Sequence, residues 1–292
     1  MISRRKFLRT SSLATAGLAL PSSKLFSRTP APYDIGLQIF SLEKHLQKDF
    51  VGTLARVASL GYRQVELYDY KDGGYFGLTA KEVKNLLIRF RLRAPSGHYK
   101  YGLFEQYQGT VRNGWEKAIE DAKMMGHKYM VIGWLHPTER DRLDKYKKLA
   151  EWLNMAGQQC EAAGIQLCYH NHDFEFWELE GEIPYDVLLE RTEFSLMKME
   201  MDMYWVTKAG YDPLAYFEKH PGRFPLWHVK DMEKPPETSF TEVGNGRIDF
   251  PAIFAQRKLA GMEQFFVEQD KSKGNMFDSI QTSREYLMQM KY

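Results

Sequence analysis

A single-domain α/β fold, a closed (β/α)8 TIM barrel, is what this sequence predicts, and three observations predict it. One phrase repeats down the chain: an amphipathic helix, a glycine, then a short apolar strand. Eight strand-like segments recur at intervals of roughly 30 to 38 residues, the period of a βα unit. Polar and ionisable side chains gather where those segments end, which is where barrels of this kind do their chemistry.

In chain order, the first strand is expected at 35–42. The second, 64–70, follows Leu60-Gly61-Tyr62, and the fourth, 128–134, follows Met125-Gly126-His127. The fifth, 166–172, follows Ala163-Gly164-Ile165, and the eighth, 264–270, follows Ala260-Gly261-Met262. A glycine just past a helix end turns the chain through positive φ without a Cβ clash, so helix, glycine, strand is an αβ junction with a physical cause. Segments 92–98, 194–202 and 224–231 supply the third, sixth and seventh strands without that glycine. Between the strands lie apolar stripes at helical spacing, as in Phe50-Leu54-Val57-Ala58 and Tyr146-Leu149-Trp152-Leu153-Ala156. Eight alternating units favour a closed parallel barrel over an open doubly wound sheet. The open sheet would need a glycine-rich turn after its first strand, and Gln38-Ile39-Phe40-Ser41-Leu42 has no glycine.

Before the barrel, Ser3-Arg4-Arg5-Lys6-Phe7-Leu8-Arg9 precedes a weakly apolar stretch from Leu13 to Leu20, then Pro21-Ser22-Ser23. This is the layout of a twin-arginine-type export signal, so residues 1–30 are expected to be an address and 33–292 the barrel. The protein is then periplasmic or otherwise exported, or tethered to the membrane if the signal is retained. No later stretch is long and apolar enough to span a membrane. With 40 basic and 38 acidic residues the net charge is +2, and no basic block offers a surface for nucleic acid. Two cysteines, Cys160 and Cys168, make no disulfide framework. The pattern leaves room for a homo-oligomer without specifying one.

Five of the eight histidines fall at expected strand ends: His98, His136, His170, His172 and His228. With them come Gln38, Glu66, Asp69, Trp134, Glu200, Asp202, Lys230, Asp231, Glu268 and Asp270. Alternation across a strand puts His170 and His172 on one face, and likewise His228 and Lys230. Buried apolar strands do not tolerate such groups unless they are paired or bound to a metal. A His/Asp/His/Glu set from the last four strands offers two imidazoles and two carboxylates. That suits one divalent ion, Mn²⁺, Zn²⁺, Co²⁺ or Fe²⁺, better than Ca²⁺; Mg²⁺ is also compatible.

At Leu167-Cys168-Tyr169-His170-Asn171-His172-Asp173-Phe174-Glu175-Phe176, Met201-Asp202-Met203-Tyr204-Trp205, Trp227-His228-Val229-Lys230-Asp231, Glu242-Val243-Gly244-Asn245-Gly246 and Phe266-Val267-Glu268-Gln269-Asp270, the chain resembles the xylose isomerase-like barrel superfamily of sugar isomerases and epimerases. The resemblance runs from about Asp34 to the C-terminus. It implies one divalent metal held by His170, Asp202, His228 and Glu268, and a small sugar or keto-sugar as substrate. At the first of these positions the family epimerases usually carry glutamate, and two glutamates exchange the proton on opposite faces of the sugar. Here only Glu268 remains, with His172 or Lys230 to complete the acid–base pair.

The expected activity is isomerisation or epimerisation through a metal-stabilised enediolate. Elimination or hydration on a keto-sugar, such as a 3-keto-glycoside, is the alternative at the same site. His98, Glu175, Glu66, Trp134 and His136 are candidates for substrate contact. A non-catalytic sugar-binding barrel is less favoured, as is an endonuclease IV-like enzyme, which would need about three metals and a basic surface.

Overall fold

Strand alternation builds this barrel from the inside and the outside at once. The computed structural model describes residues 34–102 and 106–291; the expected signal in residues 1–30 lies outside them. All eight expected strands form: β1 (Gly36–Gln38), β2 (Gln64–Leu67), β3 (Arg93–Lys100), β4 (Tyr129–Trp134), β5 (Gln166–His170), β6 (Met197–Asp202), β7 (Leu226–Val229) and β8 (Gln264–Val267). Each pairs in parallel with its sequence neighbours, and β1 pairs with β8 to close the ring. Alternate residues, among them Leu67, Met130, Ile132, Leu167, Met199, Trp227 and Val267, face outward into the apolar belt beneath the helices. The residues between them form a separate plug inside the ring: Tyr129, Val131, Cys168, Leu226 and Phe266. At Gly36 the Phe266 ring occupies the space a side chain would take.

The junctions behave as their residues dictate. Asp49 caps Phe50–Ser59 by accepting from the Gly52 amide at 2.8 Å, and Thr79 with Glu82 forms a reciprocal capping box on Ala80–Arg89. Gly126 and Gly261, at φ 87° and 77°, end the helices Trp115–Met125 and Arg257–Ala260 in the left-handed conformation the sequence led us to expect.

Several strands stop short of their expected ends. β1 ends at Gln38 because that side chain accepts from the Phe40 amide at 3.0 Å and turns the chain into a short helix, Ile39–Leu42. His172, Lys230 and Asp270 therefore stand just beyond their strands, while β3 continues two residues past His98. Two antiparallel ribbons were not foreseen, Gly74–Tyr75 with Leu78–Thr79 and Asp231–Met232 with Phe240–Thr241. The second is anchored by the Asp231 carboxylate, which accepts from the amides of Gly244 (2.9 Å) and Gly246 (3.0 Å). Among the described residues no helix is long and apolar enough to cross a membrane.

Candidate active site and metal centre

Side chains at inward positions near the C-terminal ends of the strands converge in two tiers. In the lower tier Glu66 on β2, His98 on β3, Glu200 on β6 and His228 on β7 bond to one another. His228 Nε2 lies 2.6 Å from Glu66 Oε2, and His98 Nε2 lies 2.7 Å from Glu200 Oε2 and 3.2 Å from Glu66 Oε2. Gln38 Nε2 donates to Glu66 at 2.8 Å, and Ser96 Oγ donates to its other oxygen. Burial alone would discharge His98, but the two carboxylates overcome this and raise it to about 9.

The upper tier holds the four residues expected to bind metal. His170, Asp202, His228 and Glu268 bring one donor atom each to within 4.8 Å of the others, and all four are buried. His170 Nε2 stands 3.8 Å from Asp202 Oδ2, and His228 Nδ1 stands 4.0 Å from the same oxygen. Ligands about 2.1 Å from a tetrahedral ion sit about 3.4 Å apart, so these separations leave room for one. Asp202 Oδ2 also lacks a formed hydrogen bond, although Lys230 Nζ approaches to 3.0 Å. A second quartet, His98, His170, Glu200 and His228, is equally close, but its members are spaced 2.7 to 3.1 Å as hydrogen-bonded pairs. The upper set holds one such pair, His228 Nδ1 and Glu268 Oε2 at 2.8 Å, and its other separations fit a divalent ion; in the lower set His98, His170 and His228 all crowd onto Glu200 Oε2.

Charge in the upper tier is tightly balanced. Lys230 Nζ lies 2.7 Å from Glu268 Oε2 and 2.9 Å from Asp270 Oδ1. Burial opposes its charge, yet Asp202, Asp270 and Glu268 raise Lys230 well above the ordinary lysine range. Burial would raise Glu268, but Lys230 and His228 outweigh it and hold the carboxyl well below the usual range. Burial lifts Asp202 to about 6 and drives His170 well below the imidazole norm. His228, between Glu200 and Glu268, is raised well above it, so a metal ion would have to displace its proton.

Above this floor opens a cavity of about 670 Å³, with Phe40, Tyr68, Phe76 and Trp134 at its rim. His98, His172 and Lys230 line it, and the half-open Trp134 presents 39% of its surface. His172 stacks on Phe174 with centroids 5.1 Å apart, and its Nδ1 has no hydrogen-bond partner. Burial and then the Lys230 charge push His172 down to about 3, so it stands over the floor as a neutral imidazole.

Three residues expected at the substrate lie elsewhere. Glu66 is fully buried in the lower tier, bonded to Gln38, Ser96 and His228. Glu175 is equally buried because the short helix Phe174–Phe176 folds it back: it accepts from Tyr169 Oη at 2.6 Å and from the His172 amide at 2.7 Å, and so positions His172. His136 is exposed and caps the short helix Pro137–Glu139 instead of lining the cavity. Sequence reasoning gave no role to Glu200, Ser96 or Asn171. Asn171 accepts from the Asp202 amide at 3.0 Å and fixes that ligand's backbone. Strand alternation was the available signal for two of them, since Glu200 and Ser96 lie two residues before Asp202 and His98.

Fold and floor together define a (β/α)8 barrel whose last four strands carry a buried donor set suited to one metal ion. The chain belongs to the xylose isomerase-like TIM barrel family, whose model matches residues 54–288. A crystal structure of a sugar phosphate isomerase/epimerase from Parabacteroides distasonis is 27% identical, with a TM-score of 0.77 over 92% of this chain and 98% of that one. An inosose dehydratase from Clostridium beijerinckii is 29% identical over 163 residues, 49% of this chain and 54% of the relative. The chain thus spans about half the length of the curated relatives it matches. A xylose isomerase-like barrel protein from Mycobacterium smegmatis, solved in complex with magnesium, shares the fold, with a TM-score of 0.64 over 88% of this chain and 96% of that one at 13% identity.

Proposed function

We propose that this protein is a metal-dependent dehydratase acting on a keto-sugar or keto-cyclitol, the lyase chemistry expected from sequence as the alternative to isomerisation. The observation that carries this reading is the asymmetry of the cavity floor. His170 occupies the position of a second glutamate, but one of its ring nitrogens faces Glu200 and the other Asp202, so it is not free to exchange a proton with a substrate. One neutral imidazole, His172, whose Nδ1 is buried without a hydrogen-bond partner, lines the cavity together with one ammonium, Lys230. One base and one cationic acid suit an elimination.

His170, Asp202, His228 and Glu268 would hold the ion. A bound divalent cation supplies Lewis-acid polarisation of a carbonyl, which makes the adjacent C–H acidic. His172 takes that proton, and the C–H electron pair becomes the new carbon–carbon double bond. The β C–O bond breaks, and its oxygen leaves as water after receiving a proton from Lys230. Glu175 holds the His172 backbone in place for the transfer, and Trp134 provides an apolar face for the ring. Curated relatives named inosose dehydratases agree with this chemistry.

A second reading, isomerisation, is favoured by the sugar phosphate isomerase/epimerase neighbour, which matches over nearly the full chain. A single base such as His172 can move a proton between adjacent carbons without help. The two readings separate in D₂O. Metal-loaded protein is incubated with inosose and with 3-keto-hexoses, and products are followed by mass and by NMR. Loss of one water is the expected result. Deuterium wash-in without water loss would establish isomerisation instead, and neither outcome across the panel would overturn both.

A further inference from the structure

Barrels of this fold fill their interior layers with branched apolar side chains. Here the layer beneath the candidate ligands is polar and closed from solvent, with Gln38, Glu66, Ser96 and Glu200 fully buried. Burying that many polar groups is costly unless each is paired, and the reaction proposed above uses none of the two glutamates. Their partners are informative. Glu200 Oε2 faces His170 Nδ1 at 3.0 Å, and Glu66 Oε2 faces His228 Nε2 at 2.6 Å. In each ring the opposite nitrogen, His170 Nε2 or His228 Nδ1, faces the upper donor set.

We infer that Glu200 and Glu66 are positioning residues for the metal centre, each holding the proton on the outward nitrogen of one ligand histidine. His170 is thereby fixed to bind through Nε2 and His228 through Nδ1. A carboxylate behind a metal-bound imidazole sets its tautomer and ring angle and makes the bound nitrogen more basic. The assignment rests on the upper set being the metal site. Gln38 and Ser96 hold Glu66 in turn, one on each oxygen. His98 lies between the two glutamates, its Nε2 3.2 Å from Glu66 Oε2 and 2.7 Å from Glu200 Oε2.

The test needs no variant at first. Wild-type protein with ¹⁵N-labelled histidine is loaded with Zn²⁺, and long-range ¹H–¹⁵N spectra read the protonation of each ring nitrogen. The inference expects the proton on Nδ1 of His170 and on Nε2 of His228. The reverse pattern overturns it, as does loss of protons from those two nitrogens, which would place the ion in the lower quartet. Glu200→Gln and Glu66→Gln then follow, with zinc affinity measured against a chromophoric chelator and metal-free melting as the control for folding. Each is expected to weaken zinc binding about 10- to 100-fold. Affinities within about threefold of wild type in both folded variants would overturn the inference; if a variant does not fold, the wild-type spectra decide. Wild-type protein that binds no Zn²⁺ would sink the metal reading itself, a distinct outcome from zinc bound with the wrong tautomers.

Discussion

Replacing Lys230 by methionine should destabilise the metal-free protein and at the same time tighten its hold on a divalent cation. The Lys230 ammonium lies 3.0 Å from Asp202 Oδ2, 2.7 Å from Glu268 Oε2 and 2.9 Å from Asp270 Oδ1, and the side chain is buried. Two of those oxygens belong to the donor set, so ammonium and metal draw on the same negative charge. Methionine keeps most of the stem and removes the charge. Removing one partner of a buried ion pair costs about 3–5 kcal/mol. With an ion bound, Asp202 and Glu268 are neutralised by it, and only Asp270 loses its partner. If the three contacts weigh equally, the loss falls to about a third, which leaves a difference of about 2–3 kcal/mol and zinc binding about 30- to 150-fold tighter. Urea unfolding with EDTA and with saturating Zn²⁺ measures the two losses, and chelator competition measures the affinity. Equal losses in both conditions, or zinc bound no more tightly than by wild type, would refute the reasoning.

Other consequences can be checked separately. Asp202→Asn keeps the Oδ1 acceptor that caps the Trp205 amide at 3.0 Å while removing the ligand charge, so it should stay folded and lose metal by elemental analysis; a fully metallated variant would contradict the site. Gly133→Ala places a Cβ on top of His98 Nδ1, and should displace that ring and depress turnover while leaving the four ligands in place, as metal content will report. Glu175 is raised by burial from 4.5 to about 7, so its contribution to stability is fully present below about 4.5 and is lost as pH rises through about 7. A rise of that size corresponds to about 3 kcal/mol, and Glu175→Gln, which cannot ionise, should gain on wild type by that order between pH 5 and pH 8 in urea melts; parallel pH profiles would count against it. Exchanging Arg4 and Arg5 for lysine should retain the protein inside the cell if the paired arginines are an export signal, as fractionation of full-length protein would show.

Much of the architecture was legible because two local signals coincided at four of the junctions, those at Gly61, Gly126, Gly164 and Gly261. A glycine that must turn through positive φ stood between a helical stripe and an apolar strand, and the strand that followed had only one way to run. Ends were harder to read. Gln38 terminates β1 with its own side chain, and no periodicity announces that. The ribbons around Gly74–Tyr75 and Asp231–Met232 are two residues to a strand, too short to leave a pattern. At the site, the four candidate ligands were legible because each is an ionisable residue at the C-terminal end of a strand segment, and the structure gathers all four. Depth was not legible. Glu66 and His98 both look like mouth residues in sequence, yet Glu66 lies sealed in the layer below while His98 reaches the cavity. Glu175 needed the turn through Phe174–Phe176 to be known before its bond to the His172 amide could be anticipated.

The division of the apolar residues into an outer belt and an inner plug gives the strands two alphabets written in alternate letters. Cys168, Leu226 and Phe266 in the plug each stand two residues before a candidate ligand, namely His170, His228 and Glu268. They act as the keel of the site: a methylene added or removed there costs stability and also shifts the height of a donor atom, so chemistry registers the change together with melting. Leu167, Trp227 and Val267 in the belt neighbour them in the chain but face the helices, so the same alteration there registers as heat tolerance. Adaptation to a new temperature can therefore proceed in the belt without moving the donor atoms, whereas a change in the plug reaches the chemistry directly.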